Sequence, residues 1–133
     1  AEVTGILHTE ATYQAAVYPD AEMTLSELQS RGYVFGVWSE GDPDFQHLKV
    51  RASGLGHWFR PELIFISRNK IAPEVLQSLP EATVIDDRLR VLEPLAALDI
   101  HLPIWLNRGG DERPAGWQQR PMVTELHQVT DFL

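Results

Sequence analysis

Short apolar runs alternate along this chain with longer stretches whose apolar residues recur at helical spacing. Val3 to Leu7 predicts a strand, and Ala21 to Arg31 a helix with Ala21, Leu25 and Leu28 on one face and Gly32 as its stop. Tyr33 to Trp38 predicts a second strand. Asp42 then offers a capping carboxylate and Pro43 suits a first helical position, so the next helix is expected to carry Phe45, Leu48, Ala52 and Leu55 as its apolar stripe up to the Gly54–Gly56 stop. Leu63 to Ile66, Ala82 to Ile85 and Ile100 to Leu106 predict three more strands, with Pro73 to Leu79 a short helix closed by Pro80. In RLRVLEPLAALD, Pro94 suits the first turn of a short helix ending near Leu98, because a proline deeper inside removes a backbone donor and crowds the preceding turn. NRGGDERPAGWQQRP reads as polar loop.

Strands and helices in this alternation imply right-handed crossovers, hence an α/β fold with a mainly parallel five-stranded sheet and helices on both faces. Apolar segments such as VTGIL and ELIFI suit strands buried on both sides, and Val3 to Leu7 is expected in the middle, flanked by the strands before Ser39 and Asp86. In an open sheet of this kind ligands sit beyond the carboxyl ends of the strands. Ser39, Lys70, Asp86 and Asp87 all follow predicted strands closely, so they can converge on one edge.

Composition narrows the class. With 133 residues, 44% of them hydrophobic, and neither an internal repeat nor a linker, residues 1–133 are expected to form one domain. The formal net charge of −8 and the scattered basic residues argue against a nucleic-acid or anionic-membrane partner, which is bound through clustered Lys and Arg. No apolar stretch approaches the ~20 residues that span a bilayer, and AEVTGILHTE lacks the basic start and long apolar run of a signal peptide. A soluble, cytoplasmic protein is expected, and the absence of cysteine fits that compartment while removing disulfide and thiolate chemistry.

The strand-end residues have clear chemical uses. A serine hydroxyl can donate to a phosphate oxygen, and a lysine ammonium can neutralise charge on a phosphoryl group and its nucleophile. Paired carboxylates such as Asp86 and Asp87 favour a hard cation such as Mg²⁺. Each also has a structural use: Ser39 can cap a turn, Lys70 can be a solvated loop residue, and Asp87 can open a helix. The other histidines, His47, His57, His101 and His127, show no metal-ligand spacing, and the four tryptophans suit core or edge packing.

The stretch YPDAEMTLSELQSRGYVFGVWSEGDPDFQHLKVRASGLGHWF, followed by LIFISRNK, ATVIDDRL and IHLPIWLNRGG, resembles the core of the haloacid-dehalogenase-type phosphatases from about Val3 to the terminal ELHQVTDFL. Lys70 stands 31 residues beyond Ser39, and Asp86 16 beyond Lys70. The resemblance implies a Rossmann-like domain in which Thr12, Ser39 and Lys70 bind phosphate and Asp86 and Asp87 supply or support a Mg²⁺ site. In the family's first motif an Asp nucleophile follows the first strand, with an acid/base Asp two residues on. VTGILHTEAT fills that slot here and gives His8 and Glu10 instead. An imidazole is a poor Mg²⁺ ligand and makes no acyl phosphate, so the family mechanism should be disabled. The segments between motifs leave no room for an inserted cap domain. By resemblance, the open site would take a phosphorylated small molecule or an exposed phosphate group, or recruit a second subunit as a lid in a homo-oligomer.

These expectations favour a phosphate- or metal-binding, regulatory pseudo-hydrolase. One alternative is an active phosphohydrolase in which His8 and the acidic pair use Mn²⁺ or Zn²⁺, with Glu10 and Lys70 in catalytic roles. Another is a pure interaction module that keeps only the fold. A receiver-like signalling domain would carry its acidic pair after the first strand, whereas here the pair follows the fourth.

Overall fold

The apolar runs form strands that all point the same way. The computed structural model describes residues 5–8, 20–52 and 56–133, and these build one six-stranded sheet in the order β3-β2-β1-β4-β5-β6. The strands are β1 (Gly5–His8), β2 (Val34–Glu40), β3 (Phe59–Ser67), β4 (Ala82–Asp86), β5 (Leu102–Leu106) and β6 (Met122–Val123). Every neighbouring pair is parallel. The helices are α1 (Asp20–Ser30), α2 (Pro43–Ala52), α3 (Pro73–Ser78) and α4 (Leu89–Leu98), and the chain closes in a 3-10 segment, Leu126–Phe132. As expected, β1 lies between β2 and β4.

Alternate residues of the inner strands feed two apolar layers, which is why these strands read as continuous apolar runs. One layer joins Phe35, Val37, Ile85 and Ile104 to Ala21, Leu25 and Leu28 of α1, Val50 of α2 and Leu126 and Val129 of the terminal segment. The other joins Trp38, Val84 and Trp105 to Leu76 of α3 and Val91, Leu92 and Leu95 of α4. Burying each such Leu or Ile contributes about 1.5–3 kcal/mol, so helices on both faces are fixed by the strand pattern itself.

The structure corrects several local expectations. On α2 the stripe is turned outward: Phe45 is 55% and Leu48 52% exposed and Ala52 is exposed, while Gln46 and Val50 are buried. Leu55 lies outside the described residues. Only Gly41 and Asp42 separate β2 from α2, and Gln46 N–H already donates to Asp42 O at 2.9 Å, so the strand end sets the phase of the helix before its own periodicity can. Lys49 Nζ, 5.5 Å from the Phe45 ring centroid, covers part of the outward ring.

Pro94 lies inside α4 and not in its first turn; the helix tolerates the missing donor because Val91, Leu92, Leu95 and Ala96 are buried along it. β3 is longer than predicted and only half-buried over Leu63 to Ser67, because it is an edge strand, where Pro61 is admissible. To the five predicted strands the structure adds β6, directly after the segment read as polar loop. Its residues pair with Trp105 and Leu106 of β5. No helix among the described residues is long and apolar enough to cross a membrane. Only α2 and a 3-10 turn at Gly56–Trp58 are described between β2 and β3, and among the described residues no second layer covers the carboxyl edge.

Candidate functional site at the carboxyl edge

Register places the site. His8 ends β1 and pairs with Val37 of β2 and Ile85 of β4, so the next residues of those strands, Trp38 and Asp86, bracket the point where the chain leaves β1. Ser39 lies within β2, one residue further on, and is fully buried. His8 is fixed here by its backbone register alone, and Glu10 and Thr12 lie outside the described residues.

Lys70 spans that gap. It enters from the turn after β3, and its ammonium donates to Asp86 Oδ2 at 2.8 Å and to the Trp38 carbonyl at 3.3 Å. Both charged side chains are 0% exposed, so Lys70 is not the solvated loop residue that its sequence setting also allows. A buried ammonium needs a counter-charge and hydrogen bonds together, because desolvating one ion alone costs several kcal/mol. Asp86 supplies the charge, and the Trp38 ring adds its negative face with its centroid 4.2 Å from Nζ. The Trp38 indole N–H donates to the Lys70 carbonyl at 3.1 Å, so this one side chain holds Lys70 at both ends.

The acidic pair divides its work. Asp86 accepts from Lys70 through Oδ2 and from the Arg88 backbone N–H through Oδ1 at 2.8 Å. Asp87 is exposed; its backbone carbonyl accepts from Trp105 Nε1 at 3.2 Å, and the Arg88 guanidinium lies 3.9 Å from its Oδ1. Burial pushes the Asp87 carboxyl above its ordinary value of 3.8; the hydrogen bond with Asp86 and the Asp86 charge push the same way, while Arg88 opposes them. A group in that condition gains from a nearby cation. Among the described residues no cluster of three His, Asp or Glu side chains could hold a metal ion. The donor set at this edge thus fits a divalent cation only in part: Asp87 is the carboxylate with access to it, and Asp86 stands behind, committed to Lys70.

Sequence reasoning passed over three contributors. Trp38 is the platform for Lys70, and its signal was a tryptophan directly before the strand-end serine. Glu40 accepts the Lys70 backbone N–H at 3.4 Å and lies 3.6 Å from an Arg90 guanidinium nitrogen, tying the end of β2 to the turn after β3 and the start of α4. Gln46 is buried on α2 and its Oε1 accepts the Ser39 hydroxyl at 3.1 Å. A lone glutamine sharing a helix face with Val50 gave no sign of this.

No family model and no curated protein matches the sequence. Solved structures match the fold. A dehalogenase superposes with a TM-score of 0.71 at 20% identity, over 87% of this chain and 56% of its own. A HAD phosphatase from Thermococcus onnurineus gives 0.69 at 22% identity, over 92% and 62%. A haloacid dehalogenase-like hydrolase from Burkholderia xenovorans LB400 gives 0.64 at 21% identity, over 86% and 57%. The chain thus has the haloacid-dehalogenase-like fold and spans between 56% and 62% of the length of these structures.

Proposed function

We propose that this chain, on its haloacid-dehalogenase-like fold, binds a phosphate group at the carboxyl edge as a pseudo-hydrolase with a binding or regulatory role. The observation that carries the reading is the buried Lys70 ammonium, held between the Trp38 carbonyl and Asp86, the residues that follow the β1 partners in β2 and β4, with the buried Ser39 next after Trp38 in β2. As arranged, Asp86 balances this charge; a cation on the acidic pair would leave the ammonium for an anion, which a low-dielectric edge holds more strongly than water does. Ser39 would add a hydroxyl. Asp87, with Asp86 behind it, would hold a divalent cation, Mg²⁺ by chemical preference, which would offset charge on the phosphate. His8 stands where the family carries its nucleophile, and an imidazole there supplies no carboxylate for an acyl phosphate. The ligand class is a phosphorylated small molecule or an exposed phosphate group.

The second reading, an active phosphohydrolase, is favoured by the raised pKa of Asp87, since a carboxyl that holds its proton longer can act as a general acid. Aryl phosphate hydrolysis separates the two. With Mg²⁺ present the native chain is expected to turn over negligibly. The double change His8→Asp and Glu10→Asp should raise the rate by more than the two single changes combined, because nucleophile and proton-transfer group act as a unit. Ser39→Ala in that background should remove the gain. Robust native turnover that disappears in His8→Ala would put the enzyme first.

A further inference from the structure

α2 turns two side chains inward, Val50 into the core and Gln46 against Ser39. We propose that Gln46 positions Ser39 and decides whether its hydroxyl can serve an anion; this rests on the reading that Ser39 and Lys70 hold a phosphate group. As arranged, the hydroxyl donates to Gln46 Oε1 at 3.1 Å, so its single proton is already used. A phosphate oxygen is an acceptor and needs that proton. A carboxamide carries its acceptor and its donors on opposite arms. Half a turn about its last bond brings Nε2 to Ser39 Oγ, and the hydroxyl proton then swings to the anion. Serine accepts from Gln46 and donates to phosphate, in a chain where each bond polarises the next.

The amide packs against the backbone just after Ser39 and Glu40. A Cβ on Gly41 would stand 2.6 Å from Gln46 Nε2 and 3.1 Å from its Cγ, so the side chain lies directly against a glycine backbone with φ of 146°. Glutamine alone among residues of this shape can both accept and donate: glutamate can only accept, and leucine can do neither. The inward place of Gln46 also accounts for the outward Phe45 and Leu48, since one helix phase cannot satisfy both.

The test is calorimetric titration of the full chain with inorganic phosphate in the presence of Mg²⁺, with a thermal midpoint for each variant. Gln46→Glu should weaken phosphate about tenfold or more, as expected for losing a hydrogen bond to a charged group, and Gln46→Leu by less. In a Ser39→Ala background the Gln46→Glu step should shrink to about twofold, because the two residues act through one proton. If Gln46 merely fills space, the isosteric glutamate is tolerated better than leucine; if its charge merely repels, the step is equal in both backgrounds. Either result overturns the inference while leaving phosphate binding intact. Should Gln46→Glu unfold, Gln46→Leu combined with Ser39→Ala decides, with additive losses counting against coupling. A native chain that takes up no phosphate at millimolar concentration defeats the functional reading itself, and this inference with it.

Discussion

The two edges of the sheet differ in what they bury. At the carboxyl edge Lys70 and Asp86 are wholly buried, and each is held by a charge and by hydrogen bonds. At the amino edge a cavity of about 400 Å³ opens between the starts of β2 and β3, lined by Tyr33, Phe35, His57, Trp58 and Arg60. There the Trp58 indole N–H is buried with no hydrogen-bond partner among the described residues. The amino-edge space coincides with a register shift between Phe35 and Val37 against an edge strand, so it follows from imperfect pairing. Burying a charge is costly and persists only inside a complete network. Volume therefore marks a gap in strand pairing, whereas paired buried charge marks the edge with chemical capacity.

The largest effect expected from this contrast is at Lys70. Lys70→Met leaves Asp86 buried with only the more distant Arg88 guanidinium, 3.6 Å from Oδ1, as counter-charge and should cost about 3–5 kcal/mol in urea unfolding, while adding Asp86→Leu should return much of it. A single variant as stable as the native chain would show that the pair is not the keystone of this edge. Comparing tryptophans gives a smaller difference. Trp38→Phe loses the bond to the Lys70 carbonyl and weakens the ring face under Nζ, for about 1–3 kcal/mol. Trp58→Phe loses no hydrogen bond and should stay within about 1 kcal/mol of the native chain. Equal losses would erase the distinction between the edges.

The smallest effects are in pH dependence, and the two edges should differ in sign. Burial lowers His101, just before β5, below its ordinary 6.5, with the Glu81 charge and the nearby Ala82 backbone opposing. The fold prefers the neutral ring, so this stabilisation is complete above 6.5 and is lost as pH falls through the folded value. Asp87 is raised above 3.8, so the fold prefers its protonated form; that contribution is complete below 3.8 and is lost as pH rises through the folded value. Thermal midpoints against pH should show Asp87→Asn gaining at neutral pH and little changed in acid, and His101→Asn losing the decline below 6.5. Matching profiles for both variants would break the comparison.

Much of the arrangement was legible because an α/β sheet is a strong constraint on chemistry. Apolar runs bounded by turns gave parallel strands, parallel strands share one carboxyl edge, and strand-end residues come to it, where Lys70 meets Asp86. What the local pattern could not carry was contact across long separations and the phase of elements tied by short loops. Trp38 meets Lys70 from 32 residues away. β6 is two residues long, too short for any alternation, and is recruited by bonds from Trp105 N–H to Pro121 O at 3.1 Å and from Asn107 N–H to Val123 O at 2.7 Å.

The sequence by itself determined the strand-helix alternation, the central place of β1 and the set of polar residues delivered to one edge, because each follows from periodicity and chain direction. Tertiary structure alone decided that Lys70 is buried and paired with Asp86, that Trp38 and Gln46 belong to the site, and that α2 turns Phe45 and Leu48 outward. Those outcomes depend on which surfaces meet when the layers close, and on a two-residue link that fixes a helix's rotation before its own apolar stripe can choose it.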